Sequence, residues 1–442
     1  MLKGSMISMK ELLERDLVVI HDLSYEKDAE CGVSRGLIQS SFLEIHLLFF
    51  KAETLRNTSH VPQYVVYTRH VIKTGSTPNG FTSPPRGWNS YAVQTEVITQ
   101  CDELPVLDSG HEYCTLNSGW SVGDHGDEHG RIIFDPSKFY LPALADHLHI
   151  RTIKGTSIKI NDTMSGNNNR FARCDFDFAK DRTQGVDLVK LDYITPGSPD
   201  NGANLPADSS GSVIAFLKAI QNSGREVRLD ISWKPVRSSE YSATWAGNAD
   251  SMRTDQDINE SGSSTFVKWA TVQRAIDNYR DFISGVVKGD SNTLTIYPDW
   301  DNLLIGNAAS VSSVSDAQRQ TIATHWFGAA ANLTVGSDLT NLDDLGRTLL
   351  TDSDALGIPR NPETGGSDAK QLQAWVDGPA ASGFGTSRSG TQNVTASYED
   401  LGLIGTYNVK DIWQKQDLGS ASGGLSVVLD EGESYLFNLT PV

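Results

Sequence analysis

Gly185-Val186-Asp187-Leu188-Val189-Lys190-Leu191-Asp192-Tyr193 is a short apolar run that opens on glycine and closes on charged and aromatic side chains. It reads as a strand, and because residues two apart in a strand share a face, Lys190 and Asp192 should point to the same side. Downstream, Asp208, Ser209 and Ser210 offer caps for a helix with Val213, Phe216, Leu217 and Ile220 on one face, and Glu226 to Trp233 reads as the next strand. A strand, an amphipathic helix and a second strand in that order make a parallel pair with a crossover helix.

The alternation extends in both directions. Candidate strands are Arg86 to Tyr91, Glu112 to Ser118, Thr156 to Asn161, Val186 to Ile194, Glu226 to Trp233, Ala243 to Ala249, Leu303 to Asn307 and Asn332 to Gly336. Phe266, Trp269, Val272, Ile276, Tyr279, Ile283 and Val286 carry the three-to-four spacing of a helix with one buried face. Eight such steps close a (β/α)8 TIM barrel, in which active groups project from the carboxyl ends of the strands. After about Asp352 the texture turns to Gly, Ser and Thr with alternating runs at Leu425 to Leu429 and Ser434 to Leu439, the pattern of an antiparallel β domain. The expected organisation is an α/β chain with an N-terminal segment over 1–78 to which no role is assigned, a barrel over 79–352 and a C-terminal antiparallel β-sandwich domain over 353–442.

Composition narrows the partners. With 38% hydrophobic and 21% charged residues the chain has the balance of an ordinary globule. A net charge of -18 repels phosphate backbones and anionic lipid, so nucleic acid and membrane are not expected partners, whereas a neutral ligand meets no such repulsion. The run Leu37 to Phe50 is broken by Glu44 and His46 and is shorter than the about 20 residues that span a bilayer, so it reads as a buried element. Met1 to Lys10 lacks the basic start, apolar run and small-residue cleavage site of a signal peptide. Six Asn-x-Ser/Thr sequons, at Asn57, Asn161, Asn259, Asn332, Asn393 and Asn438, nevertheless favour a secreted protein. Cys31, Cys101, Cys114 and Cys174 show no CxxC spacing; Cys101 and Cys114 flank the second strand, where they either pair or are held apart by strand geometry.

The polar groups at strand ends carry the chemistry. A carboxylate beside a lysine is held ionised, as a nucleophile toward an anomeric carbon must be, although the same pair also suits a structural ion pair on a barrel rim. Met252-Arg253-Thr254-Asp255-Gln256-Asp257-Ile258 supplies a second carboxylate after another strand. Retaining glycosidases require two carboxyl groups about 5–5.5 Å apart, one to attack and one to protonate the leaving oxygen.

Pro84-Pro85-Arg86-Gly87-Trp88-Asn89-Ser90-Tyr91 resembles the PPMGWNSW opening of glycoside hydrolase family 27, the α-galactosidases and α-N-acetylgalactosaminidases. Tyr113 to Trp120 stands where that family has its motif ending DDCW, followed by Gly130-Arg131 and Asp135 to Phe139. Gly185 to Asp192 is similar to GVDYLKYD, Arg253 to Ile258 to RTTGDI, Leu303 to Asn307 to LVIGN, and Val335 to Leu339 to GNDL, in the same order, while Val409 to Pro441 resembles the family's C-terminal β domain. The resemblance implies a retaining exo-glycosidase that removes terminal α-galactosyl-type residues from an oligosaccharide or glycoconjugate by double displacement. It implies Asp192 as nucleophile, Asp257 as acid/base, Lys190 and Arg253 as donors, Trp88 in the pocket floor, and no metal or organic cofactor.

This chain departs from the family in its sugar-holding positions. Asn117 and Ser118 stand where the family has paired aspartates, Gly119 replaces the cysteine, Ser232 occupies the glutamate position of the fifth-strand motif, and Tyr91 replaces the closing tryptophan. Charge-assisted hydrogen bonds are about twice as strong as neutral ones, so such a pocket should bind differently. The alternatives are therefore a member acting on α-N-acetylgalactosamine, β-L-arabinopyranose or an α-glucoside, and a carbohydrate-binding barrel without catalysis, against which the presence of both aspartates argues.

Other motifs fare worse. Gly119-Trp120-Ser121-Val122-Gly123 fits the esterase nucleophile elbow, yet a glycine-rich polar loop rather than a helix follows it. Asp124, His125, Asp127, Glu128 and His129 in that loop match no metal spacing and suit a rim loop on the leaving-group side. Trp88, Trp233, Trp245, Trp300 and Trp326 all suit a core; Trp88 and Trp120 sit at strand ends and are the candidates for sugar contact. Asp299 and Asp301 read as turn formers around Trp300.

Overall fold

The computed structural model describes residues 45–49, 70–93, 101, 110–117, 133, 135, 137, 143–146, 156–161, 186–198, 205–259, 267–286, 293–357, 370–374, 392–399, 403–430 and 432–442. Eight strands form one parallel sheet: β1 (Arg86–Asn89), β2 (Tyr113–Leu116), β3 (Thr156–Asn161), β4 (Val186–Asp192), β5 (Arg228–Ile231), β6 (Ser251–Arg253), β7 (Tyr297–Asp299) and β8 (Leu333–Val335). Each pairs with the next from β1 to β7, and β8 pairs with β1. The last seam closes through backbone hydrogen bonds, from Asn332 N to Pro298 O at 2.9 Å, Leu303 N to Thr334 O at 2.7 Å and Gly336 N to Leu303 O at 3.1 Å. At Gly87 a side chain is excluded by the close approach of β2, since a Cβ there would lie 2.1 Å from Tyr113 O.

Helix α1 (Ser210–Ser223) buries Val213, Phe216, Leu217 and Ile220 as its periodicity predicts. Its start is divided between two residues: Asp208 Oδ1 accepts from Ser210 N at 2.8 Å, while the Ser209 hydroxyl accepts from Thr195 N at 2.8 Å and ties the helix to the loop after β4. Gly224, at φ 65°, ends it in the left-handed region that glycine adopts without penalty. Helix α2 (Ser239–Asn248) replaces the strand expected over Ala243 to Ala249. Ser238 caps it, and the inward Ser242 and Trp245 lie three apart, so a short apolar stretch takes helical rather than strand periodicity. The sixth strand is Ser251–Arg253 instead. Helix α3 (Trp269–Val286) buries Val272, Ile276, Tyr279 and Ile283; Phe266 lies outside the described residues.

The seventh strand is likewise displaced. Tyr297–Asp299 forms it, while of Leu303 to Asn307 only Leu303 makes a bridge, to Val335. The chain swings out between them because Asp301 N donates to Asp299 Oδ1 at 2.8 Å and Asp301 takes φ 78°, after which Leu303, Leu304 and Ile305 return as buried side chains without a ladder of their own. Trp300, ring centroid 4.9 Å from Trp326 and 5.0 Å from Tyr279 in edge-to-face contacts, fills the space behind. Trp326→Ala removes a fully buried side chain from this cluster and is expected to cost about 3–5 kcal/mol, read as a lowered midpoint of urea unfolding.

Helix α4 (Asp316–Gly328), opened by a capping box between Ser315 and Gln318, is buried on nearly every face. One side meets the barrel and the other the C-terminal strands, to which it is bound by Thr321 Oγ1 to Gly432 O at 2.6 Å, Trp413 Nε1 to Thr324 Oγ1 at 2.7 Å and Ser434 Oγ to Thr324 Oγ1 at 2.9 Å. The strands Thr406–Asp411, Gln416–Ser422 and Leu436–Pro441 pair antiparallel, and Gly424–Leu429 pairs antiparallel with Gln392–Ser397. Tyr398, Leu403, Tyr407, Val409, Phe437 and Leu439 form their separate core. Ile45–Phe49 pairs with Leu436–Pro441 and, in parallel, with Lys370–Ala374, which pairs with His70–Thr74. The apolar run around 37–50 thus contributes a strand. Among the described residues no helix is long and apolar enough to cross a membrane.

Cys101 and Cys114 form a disulfide; Cys31 and Cys174 lie outside the described residues. Of the sequons, Asn259 and Asn332 are buried at 6% and 3% exposure, which denies both a glycan in the folded chain.

Candidate active site

The polar residues of interest gather at the carboxyl ends of β4 to β7, the mouth of the barrel. Alternation along β4 puts Lys190 and Asp192 on its inward face, and register sets Lys190 beside Asp230 of β5. Asp192 is 5% exposed. The chain turns sharply after it, with Tyr193 at φ 59°, and the corresponding end of β5 turns through Trp233 at φ 86° and Lys234 at φ 49°. Non-glycine residues in this region carry strain that the surrounding contacts must hold. Here Tyr193 and Trp233 pack with ring centroids 4.3 Å apart, and Ser198 N donates to Trp233 O at 2.9 Å. Ser232 N donates to Leu191 O at 2.7 Å and its carbonyl accepts from Ile194 N at 3.2 Å, so Ser232 sits across from Asp192.

Asp257 lies four residues beyond Arg253 in the loop that follows β6. Arg237 Nη1 donates to Thr254 O at 2.7 Å and Arg274 Nη2 to Asp257 O at 3.0 Å, while Lys234 and Arg274 hold Asp255 at 3.0 and 2.6 Å. That fixes the loop backbone and leaves the Asp257 side chain 46% exposed. Arg253 Nη2 meets Asp257 Oδ1 at 2.9 Å and Arg253 Nη1 meets Asp301 Oδ1 at 3.4 Å. From the other side of the mouth, the Tyr91 hydroxyl after β1 stands 3.5 Å from Asp257 Oδ2. The Tyr193 hydroxyl feels both carboxylates: burial first, then the charges of Asp192 and Asp257, push it above the usual tyrosine range.

Trp88 is fully buried with its indole N–H on Ser337 O at 2.9 Å. Asn117 is tied to the end of β1, its N–H on Ser90 Oγ at 3.0 Å and its amide on Asn89 Oδ1 at 3.4 Å. The structure thus brings Lys190, Asp192, Ser232, Arg253 and Asp257 to one end of the barrel, with Tyr91 reaching in; Ser118, Trp120 and the loop 124–129 lie outside the described residues.

Three carboxylates join them that the sequence did not single out for this role. Lys190 is ion-paired with Asp299 and lies 3.2 Å from Asp230, and Asp301 faces Arg253. Asp299 and Asp301 do order the turn around Trp300, and the same side chains also neutralise buried cations. Burial works against the charge on Lys190, but Asp299 and Asp230 outweigh it and raise its affinity for the proton. Arg253 is likewise held charged against burial by Asp301, Asp257 and Asp299. Burial also opposes charge on Asp299, where Lys190 and Arg253 prevail and hold it down to about 2. Asp230 is pushed up, to about 7, by burial and by Asp299, with Lys190 pulling the other way. The signal for these partners was present in Lys190 and Arg253 themselves: two cations on inward faces of barrel strands require counter-charges.

A barrel mouth with two carboxylates, one enclosed and one open, flanked by fixed donors is suited to work on a polyhydroxylated ligand. The sequence profile of the family described as Melibiase_2, alpha galactosidase A, matches residues 92–361. The chain is 40% identical over 454 residues to alpha-galactosidase 3 of Hypocrea jecorina, covering 84% of this chain and 72% of that protein. The chain belongs to glycoside hydrolase family 27. As a family 27 member it is an O-glycosyl hydrolase. An alpha-galactosidase of Coffea arabica is 25% identical over 390 residues, covering 81% of this chain and 94% of its own. The fold is shared with a family 27 β-L-arabinopyranosidase from Geobacillus stearothermophilus, at a TM-score of 0.62 and 19% identity over 81% of this chain and 97% of that one.

Proposed function

We propose that this family 27 chain is a retaining exo-glycosidase hydrolysing terminal α-galactosyl-type residues, with Asp192 as nucleophile and Asp257 as acid/base. The observation that carries this reading is the unequal setting of the two carboxylates. Asp192 is enclosed at the end of β4, where the anomeric carbon of a terminal sugar would rest, and Asp257 is half exposed, where the leaving group departs. Asp192 attacks the anomeric carbon while Asp257 protonates the departing oxygen; Asp257 then takes a proton from water as it displaces Asp192 from the sugar. Lys190 and Arg253, charged and oriented by their counter-ions, donate to sugar hydroxyls, and Trp88 lies beneath. Tyr91, Asn117 and Ser232 line the described part of the wall, and Ser118 and Trp120 are assigned to the substrate by their place in the sequence motif alone.

The neutral Asn117, Ser118 and Ser232 leave fewer strong acceptors for galactose hydroxyls, and a buried polar group left without a partner costs about 1–3 kcal/mol. Plain aryl α-galactoside is therefore expected to be turned over slowly, with longer galactose-containing oligosaccharides preferred. The test is kcat/KM on aryl α-galactoside, α-N-acetylgalactosaminide, β-L-arabinopyranoside and α-glucoside beside such oligosaccharides. A value within the common enzyme range of about 10⁴–10⁸ M⁻¹s⁻¹ for aryl α-galactoside, above every other substrate, would refute the altered pocket. A β-L-arabinopyranoside ranking first would move the substrate to that sugar while keeping the chemistry.

A further inference from the structure

Residues 228, 230 and 232 share the inward side of β5 by strand alternation. Arg228 is engaged at the lower end, with Nε on the Tyr113 hydroxyl at 3.1 Å and Nη1 on Ser83 O at 2.8 Å. Ser232 at the mouth is uncharged. Between them Asp230, 3% exposed, lies beside Lys190 of β4 in strand register, with Oδ2 3.2 Å from its ammonium. Its Oδ1 accepts from Ser251 Oγ of β6 at 2.7 Å, and Ser251 Oγ accepts from Asn332 Nδ2, just before β8, at 3.1 Å. The carboxylate is thus itself oriented by two further sides of the barrel.

An ammonium has three hydrogens. Lys190 donates one to Asp299 and its nitrogen is ion-paired with Asp230 at 3.2 Å, so at least one remains for a ligand at the mouth. A lysine gripped by one carboxylate pivots about that contact on its flexible stem; gripped by two it has a direction. We propose that Asp230 is a positioning residue that aims the Lys190 ammonium at the sugar, from one step deeper on the strand face whose mouth position is the uncharged Ser232. The inference rests on the reading of Lys190 as a sugar-hydroxyl donor.

The arrangement predicts a pH signature. The charged and polar groups around Asp230 are Lys190 of β4, Asp299 of β7, Ser251 and Arg253 of β6 and Asn332. Burial and the charge of Asp299 push Asp230 up to about 7, so in the acidic range it is the neutral acid, a state whose size and lack of charge an amide reproduces. As pH rises through about 7 Asp230 ionises, its hold on the ammonium strengthens, and KM should fall.

The experiment compares Asp230→Ala, Asp230→Asn, Lys190→Met and the Asp230→Ala/Lys190→Met pair with wild type, measuring kcat and KM from about pH 5 to 9 on whichever aryl glycoside the enzyme turns over fastest. In the acidic range Asp230→Ala should raise KM about tenfold to a hundredfold with kcat changed far less, and the pair should be no worse than Lys190→Met alone. Asp230→Asn should match wild type in the acidic range and lack its fall in KM above about pH 7. A wild-type KM for Asp230→Ala, or a loss that adds in full to that of Lys190→Met, overturns the proposal. Should Asp230→Ala not fold, the profile of Asp230→Asn decides, and one superimposable on wild type overturns it. A wild-type KM for Lys190→Met instead removes the donor role of Lys190, and the positioning role falls with it.

Discussion

Asp192→Asn is expected to lower kcat/KM by more than about a thousandfold, over 4 kcal/mol of barrier, while the protein still folds and binds sugar. The amide has the shape of the carboxylate but cannot form the bond to the anomeric carbon. The residue is buried beside a turn held by Tyr193, Trp233 and Ser198, and none of their backbone contacts depends on its charge. With the side chain's shape and the neighbouring backbone contacts kept, the unfolding midpoint should hold. Kinetics and thermal unfolding on the same preparation separate chemistry from folding. Activity within about tenfold of wild type, with an unchanged midpoint, would transfer the nucleophile to another residue.

The parts of this site that a sequence reveals are those where a polar residue interrupts an apolar pattern. Lys190 and Asp192 stand out in β4 because Val186, Leu188, Val189 and Leu191 surround them, and Arg253 stands out after Met252. Asp230 has the same kind of setting, between Leu229 and Ile231, yet attention falls on Ser232, where the family pattern is broken, and passes over the carboxylate two residues earlier. Asp299 and Asp301 serve twice, in a local turn that the sequence signals and in ion pairs with Lys190 and Arg253 that only the closed barrel creates. The fold shows the same division. Helices α1 and α3 follow directly from their apolar stripes, whereas seven residues at Ala243 to Ala249 fit strand or helix equally until the Ser238 cap is taken into account. The pairing of Ile45–Phe49 with strands more than 300 residues away follows from no local pattern at all.

Asp257→Ala is expected to act unequally on substrates, because a general acid matters only when the leaving group is poor. In the proposed mechanism Asp257, with Arg253 2.9 Å away, gives a proton to the leaving oxygen in the first step and takes one from water in the second. The alanine variant lacks both functions. On oligosaccharides, whose leaving alcohols need the proton, the loss should reach about 10²–10⁴-fold in kcat/KM. On aryl glycosides with acidic phenols the first step proceeds without it, so kcat/KM should fall much less while kcat collapses, leaving a glycosyl ester on Asp192, a burst of phenol and a depressed KM. Azide needs no base, enters the space vacated by the half-exposed side chain and should restore turnover, releasing a glycosyl azide of the same anomeric configuration as the substrate. Folding should survive, since Arg253 keeps Asp301 as a counter-ion and the loop backbone keeps its bonds to Arg237 and Arg274. Equal losses on both kinds of substrate without azide rescue would assign the proton to a different group, and the Tyr91 hydroxyl, 3.5 Å from Asp257 Oδ2, is the next side chain to vary.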